Sequence, residues 1–305
     1  MTDTSGGFHV SGTNVNFHGP VAGRDQWNGV PERAAPPRKA AAEPAEPAGP
    51  GRSRPADVGV LTILDEEIRA VQTELQRMRD YRERRLRHGP LAREAWVPRR
   101  GGEPIRVAAV QTLAQGTESA GIAYRELVDE YNPEVVLLVG VAGGIGKKIN
   151  VGDVVISDEV ISYDARREGP GRTYHRGQAQ EVAAPLRHRL NDFLTGTPSE
   201  QPRRDGETFR LYRGPVGSGN AVITDVKSEL RRWLSEFNEK VLAVETEAAG
   251  VARSFHEMSE RDTAPRGWLT IRGISDAADR RKGWAYHELA ARHAAEVMAM
   301  LLPYL

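Results

Sequence analysis

The sequence predicts an α/β fold, a single domain with a central mixed, twisted β-sheet flanked by helices, from three observations. From residue 58 to the end of the chain, β-type and helical segments alternate. Several of the strand segments are apolar on both faces, as strands covered by helices on either side must be. Carboxylates and glycines recur just past the strand ends, where open α/β sheets bind ligands. The 305 residues, 39% of them apolar, are enough to bury a large core.

The elements follow in order. "VGVLTIL" (58–64) is a continuous apolar strand. In "DEEIRAVQTELQRMRDYRERRLRH" (65–88), Ile68, Val71, Leu75 and Met78 recur at helical spacing and predict one helix. Its arginines invite a nucleic-acid reading, but seven Arg meet six Asp and Glu across the stretch, which is the composition of a solvated helix face. Next come the strand "IRVAAVQT" (105–112), the helix "ESAGIAYRELVDEYN" (118–132), the strand "EVVLLVGVA" (134–142) and the strand "DVVISDEVIS" (153–162). A second series runs through "YRGPVGSG" (212–219), the helix "DVKSELRRWLSEFNEK" (225–240), the strand "KVLAVE" (240–245), the helix "EAAGVARSFHEM" (247–258) and the strand "GWLTIRGIS" (267–275). A closing helix is expected from residue 284 to about 302.

Ahead of this domain (58–305) the composition changes. Residues 31–57 are a Pro/Ala-rich linker, too poor in apolar side chains to offset chain entropy. Residues 1–30 scatter Val10, Val15, Phe17 and Val21 among Gly, Asn and Ser. So short a piece cannot fold alone, so it is either a disordered tail or an interaction segment that pairs with copies of itself or another protein.

Composition excludes several function classes. Lys plus Arg equals Asp plus Glu at 42 each, with pI near 7.1, so no global field points to nucleic acid or an anionic membrane. The absence of cysteine removes disulfides, thiolate chemistry and CxxC metal sites, and makes the cytoplasm the expected compartment. The start has no signal-peptide pattern and no run approaches the ~18 apolar residues of a membrane span. The eight His include no HExxH, and His287 and His293 are six apart, off the spacing for a shared ligand face, so neither metal nor cofactor is expected.

The candidate chemistry lies past the strand ends. Glu67 follows the first strand, Glu245 and Glu247 close "VLAVETE", and Asp276 closes "LTIRGISD". Taken singly, Glu67 and Glu247 also read as first-turn helix carboxylates and Asp276 as a turn cap. The glycine-rich "VGVAGGIG" (Gly140 to Gly146) reads as a strand-to-strand turn whose backbone approaches a ligand. It is neither a dinucleotide fingerprint nor a phosphate loop.

Together, "VLLVGVAGGIGKKINVGDVVISDEVISYD", "VGSGNAVI", "LAVETEAAGVA" and "TIRGISDAAD", in this order, resemble the nucleoside phosphorylase and nucleosidase superfamily. The likeness points to its hydrolytic branch, the methylthioadenosine/S-adenosylhomocysteine nucleosidases and related purine nucleosidases. It implies hydrolysis of the N-glycosidic bond of a purine, adenine first, in a nucleoside or nucleotide. Asp276 would be the acid at N7 of the base, oriented by Ser275; Glu247 would hold the ribose hydroxyls; Glu67 would activate water. Glu245, Thr246, Ala142, Gly143, Val222, Ile223 and Tyr286 would complete the substrate site. Val222 and Thr246 depart from the aromatic residue and the Met common among such relatives. Arg166, Arg167 and Arg172 could reach a phosphorylated 5′ substituent. The resemblance also implies a homodimer or higher oligomer, and the N-terminal segment is similar to short Gly/Asn-rich segments of bacterial conflict-system effectors. A phosphate-dependent phosphorylase and a catalytically silent binding module are the alternatives; the lack of an Arg cluster for phosphate weighs against the first.

Overall fold

The computed structural model describes residues 56–87, 89–202, 208–260, 265–279 and 285–305. The segment 1–30, nearly all of the linker and the expected start of the closing helix at 284 lie outside them. In chain order the elements begin β1 (Val58–Thr62), α1 (Asp65–Leu75), β2 (Arg79–Arg85), β3 (Leu91–Val97), β4 (Ile105–Gln111), α2 (Thr117–Tyr131) and β5 (Val135–Gly144). They continue with β6 (Val154–Ser157), β7 (Glu159–Ser162), β8 (Arg166–Gly169), β9 (Arg172–His175), β10 (Gln178–Glu181), α3 (Ala184–Gly196), β11 (Glu200–Pro202), β12 (Thr208–Arg213) and β13 (Val216–Ser218). The series closes with α4 (Glu229–Phe237), β14 (Ala243–Glu245), α5 (Ala248–Met258), β15 (Gly267–Asp276) and α6 (His287–Leu301).

The mixed sheet is organised around β5. Its first half lies between two parallel partners, β1 and β15, with Val135 opposite both Val58 and Gly267. These strands are buried almost throughout, because α1 packs with α6 and α2 with α5 over the sheet. Beyond β1 come β4, β3 and β2; beyond β15 come β6, β12 and β11. The end of β5 turns to a new neighbour: Gly143 and Gly144 pair antiparallel with β14, which leads on to β13, β7 and β10. Among the described residues no helix is long and apolar enough to cross a membrane.

Three expectations are corrected. The helix predicted over 65–88 ends at Leu75, and its Arg-rich second half is the edge strand β2. The reason is a tertiary partner: Arg82, Arg84 and Arg106 reach the buried carboxylate of Glu94 on β3 at 2.7, 3.1 and 2.6 Å, and Tyr131 adds a hydrogen bond of 2.7 Å. Burial would raise the Glu94 carboxyl, but these donors outweigh it and hold the group at about 2. A charged edge strand also resists pairing with other chains. Second, the strand predicted over 153–162 breaks at Asp158 into β6 and β7, which join different parts of the sheet. Third, Gly140, Gly143 and Gly144 lie within β5, not in a turn. The hairpin β8–β9, strand β3 and helix α3 were not anticipated.

One glycine sets the helix packing. A Cβ at Gly250, in α5, would overlap the carbonyl of Thr117 at the start of α2, so the two helices meet backbone to backbone. Gly250→Ala is expected to lower unfolding free energy by about 1–3 kcal/mol, the usual cost of overpacking, in urea titration. An unchanged midpoint would show that the two helices can part without penalty.

Candidate active site

The strand ends and the starts of α1, α5 and α6 converge on a cavity of about 230 Å³. Glu67, the third residue of α1, is placed there by its own backbone: Oε2 accepts from Ile63 N at 2.7 Å and Leu64 N at 2.9 Å, closing the helix start, and Oε1 accepts from Val141 N of β5 at 2.8 Å. Burial pushes its carboxyl up to about 7, against the lowering effects of Arg272 and the backbone donors and with a further rise from Glu247. Glu67 is thus poised to change charge near neutrality.

Glu245 and Glu247 flank the step from β14 into α5. Glu245 accepts from the backbone N–H of Glu247 at 3.1 Å and of Ala248 at 2.9 Å, capping the helix. Glu247 Oε1 accepts from Gly116 N at 3.2 Å and from the Thr246 hydroxyl, while its Oε2 lies 3.3 Å from Arg272 Nη2. The same Nη2 donates to Glu245. Arg272 is completely buried in the middle of β15, and Nε and Nη1 find no hydrogen-bond acceptor among the described residues. Gly140 is the residue that allows this arrangement, since a Cβ there would overlap both the Glu67 carboxylate and the Arg272 guanidinium. One cation thus faces three buried carboxylates. The Glu245 carboxyl is raised by burial, with Arg272 opposing. For Arg272 itself, burial acts to lower its proton affinity, and the surrounding carboxylates more than reverse this.

Asp276 ends β15 after a bulge: Ile274 stands opposite Ala142 and Asp276 opposite Gly143, with Ser275 between. Such an extra residue re-aims the side chain that follows it. The carboxylate is then fixed from two sides, by Ser275 Oγ at 2.9 Å and by Ala278 N at 2.8 Å. Ala278 takes a left-handed φ of 49° to make that bond, a conformation that costs energy outside glycine.

Of the residues singled out from sequence, Glu67, Ala142, Gly143, Val222, Glu245, Thr246, Glu247, Ser275 and Asp276 line this one cavity. Ile223 does not; it is buried in a separate apolar cluster with Tyr163, Leu234 and Val244. Tyr286 is 53% exposed at the residue before α6 and does not line the cavity either. The arginines of the β8–β9 hairpin are engaged locally. Arg166 pairs with Glu168 at 2.8 Å, and Arg167 and Arg172 stack on Tyr174 at 4.4 and 4.1 Å. None of the three lines the cavity. Sequence reasoning missed Arg272, although a lone Arg in a strand apolar on both faces must be paired and was a readable signal. It also missed Gln115, Leu64 and His287, which line the cavity. His287 Nδ1 stands 3.2 Å from Glu66, and nothing in the local sequence announces that pair.

Comparison with known proteins places the chain among known families and folds. The family model described as the Phosphorylase superfamily matches residues 57–304. The chain is 31% identical over 190 residues, 61% of its length and 76% of the relative's, to 5′-methylthioadenosine/S-adenosylhomocysteine nucleosidase of Actinobacillus succinogenes. The fold is similar to that of 5′-methylthioadenosine/S-adenosylhomocysteine nucleosidase from Neisseria meningitidis in complex with methylthio-immucillin-A, with a TM-score of 0.62 and 22% identity over 81% of this chain and 99% of that one. It is also similar to that of the futalosine hydrolase of Helicobacter pylori, with a TM-score of 0.61 and 18% identity over 83% of this chain and 99% of the other.

Removing the shared cation should expose its role. Arg272→Met leaves the carboxylates buried without their counter-charge, and is expected to cost about 3–5 kcal/mol of stability at pH 8. The loss should shrink at pH 5.5, where Glu67, with its pKa near 7, carries a proton. Equal losses at both pH values in urea titration would contradict the charge account.

Proposed function

This chain belongs to the phosphorylase superfamily, and within it we propose that the protein is an N-glycosyl hydrolase, a purine nucleosidase that releases the base from a nucleoside with water as the nucleophile. One observation carries the reading: Asp276, Glu247 and Glu67, from three separate parts of the chain, open into a single cavity. A purine leaves poorly as an anion, and the sugar passes through an oxocarbenium-like state as the bond breaks. The three carboxyl groups match those demands. Asp276 gives a proton to N7 of the base, and the C1′–N9 bond breaks with its electron pair going to the base. Glu247 holds the sugar hydroxyls and favours the positive charge growing on the ring. Glu67 takes a proton from water as the water oxygen bonds to C1′.

Hydrolysis is favoured over phosphorolysis because Glu67, Glu245, Glu247 and Asp276 all line the cavity, and a phosphate nucleophile would enter a field of carboxylates. A nucleoside is favoured over a nucleotide, because the hairpin arginines are bound to Glu168 and Tyr174. Adenine as the base rests on the nucleosidase relative and on the sequence resemblance. An effector role in a conflict system, oligomerisation and a protein partner rest on the sequence of residues 1–30 and on the resemblance. Deleting residues 1–55, which spares Ala56 and Asp57 bonded to the sheet domain, should change oligomer size in gel filtration and leave base release intact; an unchanged elution volume would remove that role.

The central test incubates the chain with adenosine, methylthioadenosine, AMP and ATP, with and without phosphate, and measures free base. Release from the nucleosides without phosphate is expected. Asp276→Asn and Glu67→Gln should each lower kcat by about 10²–10⁴ with the circular dichroism spectrum unchanged. Undiminished turnover in either would refute the role assigned to it. Because Glu67 acts as a base, only its ionised form works. The ratio kcat/KM should therefore fall about tenfold per pH unit below its pKa of about 7, and this limb should vanish from the residual activity of Glu67→Gln.

A further inference from the structure

Thr246 sits between the end of β14 and the start of α5, and its backbone is held on both sides. Glu245 binds the N–H groups of Glu247 and Ala248, and Ser218 Oγ accepts from Ala249 N at 2.8 Å. Thr246 lines the cavity beside Glu247, and its hydroxyl donates to Glu247 Oε1. A threonine hydroxyl has one proton and two lone pairs, so once the proton is committed to Glu247 the oxygen can only accept. Glu247 is itself locked by Gly116 N at 3.2 Å and Arg272 Nη2 at 3.3 Å, so it cannot swing away to release that proton. The cavity wall therefore presents two acceptors side by side, one anionic and one neutral. Two adjacent acceptors suit two adjacent hydroxyl donors, as in a vicinal cis-diol. A sugar that lacks one hydroxyl leaves one acceptor unpaired as the substrate excludes water, and such discrimination exceeds that of an apolar pocket.

We propose that Thr246 is a specificity-determining residue: with Glu247 it reads the second hydroxyl of the sugar and selects ribonucleosides over monodeoxynucleosides. The inference rests on the nucleosidase reading above. Its test measures kcat/KM for adenosine, 2′-deoxyadenosine and 3′-deoxyadenosine with the full chain and with Thr246→Val and Thr246→Ser. The wild-type chain is expected to prefer adenosine over both deoxy forms. In Thr246→Val, which keeps the shape and removes the hydroxyl, the preference over one of them should fall about 3–10-fold, the worth of a neutral hydrogen bond. Thr246→Ser should restore it. Preferences unchanged in Thr246→Val, or an equal loss on all three substrates, would overturn the inference and leave the nucleosidase reading standing. Failure of the wild-type chain to release base from any of the three would overturn both.

Discussion

A single buried cation, Arg272, is the constraint on which the rest of the site depends. It lies in the middle of the central strand β15, wholly out of solvent, where an isolated charge would be prohibitively costly. Glu245 and Glu247, from the junction of β14 with α5, and Glu67, from that of β1 with α1, supply the opposite charge. The ion cluster therefore ties β1, β14 and β15 together at the level where the cavity opens. Three carboxylates around one guanidinium cannot all be comfortably ionised. Burial lifts the Glu67 and Glu245 carboxyls, Arg272 opposes the rise and Glu247 adds to it, and Glu67 is left able to titrate near neutral pH.

The carboxylates also serve the backbone. Glu67 closes the start of α1 and Glu245 the start of α5, so groups that satisfy helix N-terminal N–H donors double as the wall of the cavity. This economy explains why acidic residues of such ordinary local appearance stand where they do. Replacing either by a side chain without an acceptor oxygen would disturb a helix end and a charge cluster together. The glycines of β5 have the complementary task. Gly140 leaves space for Glu67 and Arg272 to approach, and Gly143 lies against Asp276 and Ala278, where a Cβ would stand 3.0 Å from Asp276 Oδ1.

A second ion cluster, around Glu94, lies away from the cavity and has a structural role. Arg82 and Arg84 on β2, Arg106 on β4 and the Tyr131 hydroxyl converge on one carboxylate. It converts a basic, helix-like sequence into an edge strand. The charge run that suggested nucleic acid is partly neutralised by such contacts: Arg82 and Arg84 bind Glu94 and Glu130, and Arg77 binds Glu74.

The fold class and most of the cavity lining were legible in the sequence, for a local reason. Doubly apolar runs such as those of β1, β5 and β15 can only be strands covered on both faces, and in such sheets the residues just past the strand ends face a ligand site. Glu67, Glu247 and Asp276 were found on that logic together with the order of the motifs. Tertiary structure alone decided what depended on distant partners. The end of α1 at Leu75 required Glu94 on another strand, and the break at Asp158 required two separate sets of neighbours for β6 and β7. The exclusion of Ile223 and Tyr286 from the cavity turned on packing and exposure that no local pattern records. The elevated proton affinity of Glu67 came from burial and from charges contributed by residues far along the chain, and an energy shared among such groups exists only once the chain has brought them together.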